Sequence, residues 1–326
     1  MNLSLRNIFF GWIILSLCSS CLKEDNAVVL PMPGDSKLFA VDQHDNYEHQ
    51  VYFKLQTQDT LGSDFAKWDL AFDDSQTGVG CWMNSGKLML IGNTNTTNFE
   101  SVKDTNGYKL NWDGSDWQVQ TSAIGKIENM TSGVYIVDRG YKYTTPNRFF
   151  KLQFLQNTAS YYELKMARLN DSVFVTMKIN KSNVYSYSYF SFDNNGTILF
   201  PEPVKNNWDI QFTRYLVILA NNGKPFPYLV TGVQINSMNT MACVDSTTAF
   251  ENVTYEFAKT KTLTNARDAI GYDWKYFDFG TQKYKVRSNY IFIIKDSAGI
   301  FWKLRFLDFY NNLGKKGNPK FEYQRL

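Results

Sequence analysis

The sequence has few of the residues that build metal centres and catalytic dyads. Among 326 residues there are four cysteines and two histidines. Cys18 and Cys21 fall at the extreme N-terminus, which leaves Cys81 and Cys243, too few for a disulfide framework. Those two read as buried small hydrophobes. Beyond residue 21 no Cys-x-x-Cys pair and no histidine cluster suggests zinc. His44 and His49 stand five apart among Asp45, Asn46 and Glu48, with no helical or hairpin reason to converge, and read as solvated. There is no Ser-His-Asp order, Gly-rich phosphate loop or isolated carboxylate pair, so nothing points to an enzyme. Net charge is only +3, from 34 basic and 31 acidic residues. A nucleic-acid partner, which needs a clustered basic face, is not expected. Helix signals are sparse too; the best is Thr264 to Ile270, with Gly271 to end it.

The one long apolar run lies at the start. Arg6, then Ile8 to Leu17, then Cys18-Ser19-Ser20-Cys21 form a basic end, a hydrophobic segment and small residues, the layout of a secretory signal over residues 1–20. About ten apolar residues are too few to span a bilayer. The small residues before Cys21 resemble a bacterial lipobox, with Cys21 as the lipid acceptor and Cys18 as the alternative. Cys21-Leu22-Lys23-Glu24-Asp25 is similar to the surface-export signal of Bacteroidetes lipoproteins. Residues 21–35, polar and bearing Pro31 and Pro33, then read as a tether.

Aromatics, in contrast, are plentiful at 16%, a usage that favours strands. Two stretches alternate with period 2 and copy one another: Lys67-Trp68-Asp69-Leu70-Ala71-Phe72 and Asn207-Trp208-Asp209-Ile210-Gln211-Phe212. Their surroundings repeat in one order. Tyr52 to Leu55 matches Tyr189 to Phe192, Phe99 to Val102 matches Phe250 to Val253, and Phe149 to Phe154 matches Phe301 to Phe306. The sequence therefore predicts an all-β chain of two mostly antiparallel repeats, 36–168 and 169–326, joined by hairpins and loops. Asp69 and Asp209 are expected to tie down backbone beside their strands. Lys87 to Ile91 reads as a further strand.

The copies differ in length. From Trp68 to Phe99 is 31 positions, and from Trp208 to Phe250 is 42. Duplicated folds diverge at their working loops. The extra segment carries Pro225, Pro227 and Tyr228 in one arm, read as a loop stiffened by proline, and Met238 and Met241 in the other.

The run from Tyr290 to Gly299, then Lys303 to Asn311, Gly314 to Gly317 and Phe321-Glu322-Tyr323, resembles the HmuY family of Bacteroidetes surface lipoproteins, as do the Trp-Asp strand and Ala269 to Trp274. The resemblance implies two tandem HmuY-like domains, the first diverged. It also implies an outer-membrane, lipid-anchored protein that binds haem and passes it to a TonB-dependent receptor. Family members clamp the iron with histidines or methionines, and His44 and His49 lie before the first Trp-Asp strand rather than after it. The candidate axial ligands are therefore Met238 and Met241 in the second repeat, or Met83, Met89 and Met130 in the first. Residues three apart on an extended segment face different ways, so one of the Met238/Met241 pair would be packing. The alternative is a non-haem binding lipoprotein for a glycan, a peptide or an outer-membrane protein.

Overall fold

Most of the stretches read as strands are strands in the computed structural model, which describes residues 32–326. The signal segment and Cys21 lie outside the described residues. The first half of the chain forms β1 (Lys37–Ala40), β2 (His49–Phe53), β3 (Thr60–Asp64), β4 (Leu70–Asp73), β5 (Cys81–Met83), β6 (Leu90–Asn93), β7 (Tyr135–Asp138), β8 (Phe149–Asn157) and β9 (Tyr161–Arg168). The second half forms β10 (Val175–Asn180), β11 (Tyr187–Ser191), β12 (Thr197–Leu199), β13 (Ile210–Asn221), β14 (Lys224–Ile235), β15 (Met241–Asp245), β16 (Lys275–Asp278), β17 (Lys283–Val286), β18 (Ile291–Lys295), β19 (Phe301–Tyr310) and β20 (Lys316–Arg325). The fold is all-β with antiparallel pairing and, among the described residues, one short α-helix, α1 (Tyr255–Lys259), capped by the Thr254 hydroxyl.

Two sheets have the orders β12-β11-β4-β5 and β10-β9-β8-β7-β6; two others run β3-β2-β13-β14 and β1-β20-β19-β18-β15. The second pair repeats the first, strand for strand. Each pair, however, draws strands from both halves of the chain. β2 pairs with β13, Phe53 opposite Ile210, while β11 pairs with β4, Phe190 opposite Leu70. β1 lies beside β20 as β10 lies beside β9. The opening three strands of each half thus sit in the sheets of the other half. The first core, around Leu70, Phe72, Leu152, Leu164 and Phe190, closes over residues of β4 to β12. The second, around Phe53, Ile210, Phe212, Leu304 and Phe321, draws on β1, β2, β13 to β15 and β17 to β20.

The Trp-Asp copies hold these crossings. Asp69 donates its N–H to the Phe190 carbonyl, and its carboxylate accepts the Phe192 N–H at 2.8 Å. Asp209 does the same with the Phe53 carbonyl and the Leu55 N–H, at 2.9 Å. Asn84 and Asn236 repeat one another as well, each donating its side-chain amide to the carbonyl of the Trp. Both aspartates are also buried ion-pair partners, which the alternation could not show. Lys87 and Arg139 hold Asp69, and Lys54 lies 2.8 Å from Asp209.

Three expectations need correction. Residues 264–270 form no helix. Thr264 exchanges backbone hydrogen bonds with Ala242, and the Arg267 carbonyl accepts from Ile235, so strands consume the groups a helix would use. Arg267 is buried between the cores with its guanidinium 3.8 Å from the Trp117 ring. Lys87 belongs to a 3-10 turn, Ser85–Lys87, and the strand begins at Leu90. The Pro225–Tyr228 segment is a strand, not a loop: β13 and β14 pair over twelve positions, with Pro227 opposite Ile218. Proline is tolerated there because β14 is an edge strand, and alternate N–H groups on an edge need no partner. Cys81 is buried as expected, whereas Cys243 is only partly covered; both are free thiols.

Candidate functional site

The length gained in the second half builds a cavity. β13 and β14 are far longer than their counterparts β4 and β5, and the β16–β17 hairpin has no counterpart in the first core. Between the open edge of β14 and this hairpin lies a cavity of about 320 Å³. Its walls are aromatic, with Tyr228 from β14, Tyr272, Tyr276, Phe277 and Tyr284 from the hairpin region, and Tyr47 from the turn before β2. Tyr284 is fixed through its backbone N–H, which donates to the Tyr310 hydroxyl at 2.7 Å.

Three cations line the same space, against one carboxylate, Asp273. Lys275 is buried, and its ammonium donates to the Thr231 carbonyl on the open edge of β14 at 2.5 Å. It stands 4.3 Å from the Trp274 ring centroid and 4.7 Å from that of Phe309. Burial among these rings pushes its pKa down to about 7, partly offset by Asp273. Arg287 donates to the Asp273 carbonyl and lies over Tyr276. Arg214 forms no ion pair among the described residues, and its buried Nε has no hydrogen-bond partner there. Aromatic walls and spare cationic donors suit a flat, anionic ligand.

The methionines lie elsewhere. Met238 sits in the turn after β14 and Met241 begins β15, an outer strand of its sheet; they are 41% and 38% exposed. Neither lines this cavity. Met83 and Met89 are core residues, and Met130 is exposed. The histidines do meet: a turn with His44 and Tyr47 at positive φ stacks the His44 and His49 rings, centroids 4.9 Å apart. Among the described residues no group of three or more His, Cys, Asp or Glu could hold a metal ion. Sequence reasoning flagged Tyr228, through the extra length, but missed Arg214, Lys275 and Arg287. Their signal was faint, since single cations beside aromatic residues are common along this chain.

Fold and cavity together define the class: an all-β protein with a cationic, aromatic-walled cleft assembled on one of its two cores. Over residues 183–323 the chain is HmuY-like, for that stretch matches the family model described as HmuY protein. All but one of the cavity residues named above fall within it, Tyr47 being the exception. Among solved structures the chain is similar to apo PinO from Porphyromonas gingivitis, at 10% identity over 90% of this chain and 97% of that one, with a TM-score of 0.29. It is also similar to the apo HmuY analog TFO of Tannerella forsythia, at 12% identity over 90% and 98%, with a TM-score of 0.35. Scores this low give the likeness no weight for function. No curated protein matches the chain. No described helix is long and apolar enough to cross a membrane.

Proposed function

We propose that this chain is an outer-membrane surface lipoprotein, anchored through Cys21, that binds haem in the cavity between β14 and the β16–β17 hairpin and passes it to an outer-membrane receptor. It is a binding protein and not an enzyme. The observation that carries the reading is three cations on an aromatic-walled cavity inside the HmuY-like stretch. The tyrosine faces suit the macrocycle, and Arg214, Lys275 and Arg287 suit its two carboxylates. No histidine, methionine or cysteine lines the cavity. Tyrosine is an established class of axial ligand to haem iron, and Tyr228 or Tyr276, both part-exposed on the rim, would supply it. Met238 and Met241 form a second reading, favoured by their exposure beside an outer strand. We assign residues 36–168 and 169–326 to two copies of one ancestral unit that have exchanged their first three strands.

The test is a haemin titration of the purified chain, followed by the Soret band. A shifted, sharpened band saturating at one equivalent is expected, and no change at micromolar protein would end the haem reading. Affinity should also depend on pH. Below about pH 7 Lys275 is an ammonium and attracts a carboxylate; above it the free protein holds a neutral amine, so binding must take up a proton. Haemin affinity should therefore fall as pH rises from 7 to 9, at most about tenfold per unit. Lys275→Met should remove that slope, and a slope that survives the substitution would contradict the assignment.

A further inference from the structure

The first core carries a cleft of different character, independent of the haem reading. It holds about 440 Å³, where the end of β9, the start of β10 and the turn after β11 meet. Its floor is apolar: the Phe150 and Phe192 rings meet at a tilt with centroids 4.6 Å apart, and Met166 is buried beside them. Its rim is made of planar polar groups, Asn147, Arg168, Asp171, Asp193, Asn194 and Asn195. The charges cancel within the protein. Arg139 is held by Asp69 and by Asp193, the latter at 2.8 Å. Arg168 donates to the Asn147 side chain at 3.1 Å, and its guanidinium lies 3.8 Å from Asp171. No spare cation demands an ionic ligand, in contrast to the second core's cavity.

A tight turn and a neighbouring hollow shape the rim. Asn194 and Asn195 both have positive φ, 54° and 61°, a backbone that asparagine accepts, and this tight turn sets both residues on the cleft. A second hollow of about 230 Å³, lined by Asp104, Thr105, Thr145 and Phe149, shares Arg168 and Asp171 with the first. The Arg168–Asp171 pair therefore stands between two compartments of one elongated groove.

We propose that this groove binds a neutral oligosaccharide, with sugar rings on either side of the Arg168–Asp171 pair. Hydroxyl groups both donate and accept, as amide, guanidinium and carboxylate rims require, and the C–H face of a sugar ring lies on apolar and aromatic floors. An anionic ligand would have to break the pairing of Arg139 or Arg168.

The test is saturation-transfer NMR and calorimetry on the full chain with maltohexaose, cellohexaose, xylohexaose and mannohexaose, and with polygalacturonate as the acidic comparison. Arg168→Ala and Asn195→Gly are suitable variants. The Arg168 pair is about half exposed and contributes little to stability, and glycine accepts positive φ. At least one neutral probe should show transfer to its ring protons. Its affinity should drop about tenfold or more in each variant and stay unchanged in Lys259→Ala on α1. Absence of transfer from all four neutral probes, tighter binding of polygalacturonate, or affinity untouched by both rim substitutions would overturn the proposal.

Discussion

Asp69→Ala should destabilise the fold by about 3–5 kcal/mol, the cost of breaking a buried ion pair from one side. Asp69 is fully buried, and its two oxygens serve Lys87, Arg139 at 2.7 and 3.1 Å, the Ser191 hydroxyl and the Phe192 N–H. Alanine would leave two cations in the interior, with Arg139 keeping Asp193 as its one carboxylate partner among the described residues. Burial already pushes the Lys87 pKa down against the pull of Asp69, so without the carboxylate its ammonium loses its main support. Asp193→Ala, in which the lost carboxylate is half exposed, should cost under about 1 kcal/mol. Urea denaturation at constant slope measures both. Equal effects of the two substitutions would mean that the buried network does not hold β11 to β4.

Phe53→Ala should cost a similar amount, about 3–5 kcal/mol, and the place where it acts matters more than its size. Phe53 is wholly buried, with its ring 4.6 Å from Phe39, 5.4 Å from Phe321 and 5.7 Å from Tyr323. It lies in the first half of the chain but fills the second core. Native-state hydrogen exchange should therefore show faster exchange in β19 and β20, with β7 to β9 little changed. Loss of protection confined to β7 to β9 would refute the strand exchange.

How much of this was legible follows from the range of each interaction. Strand character was readable at Leu70–Phe72 and Ile210–Phe212 because alternation is local, although each Trp-Asp pair stands just before its strand rather than in it. The added length before Phe250 was readable as a count, and it became the long β13–β14 hairpin. The partner of each strand was not readable. Whether Phe53 faces Ile210 or Leu70 depends on pairing across more than a hundred residues, and either partner satisfies the same local pattern. The proline pair misled because an edge strand and a loop both spare the N–H. Thr264 to Ile270 misled because helix signals are local, whereas Ala242 and Ile235 claim its backbone from a distance. The cavity was hidden for the same reason: Tyr47, Arg214, Tyr228 and Lys275 become neighbours only once β14 and the β16–β17 hairpin are set side by side.

The methionine reading arose from composition and resemblance, and Met238 and Met241 remain open to a ligand at the outer strand β15. The cavity offers a more enclosed place, with aromatic walls and three cations. The two sites make different demands on the same molecule, since one grips iron through sulfur and the other grips carboxylates through cations.

A crystal structure of the chain grown with haemin separates them directly. The account predicts a macrocycle between Tyr228 and the β16–β17 hairpin, with its carboxylates within hydrogen-bond distance of Arg214, Lys275 or Arg287. Density for the iron beside Met238 or Met241, with that cavity empty, would contradict it.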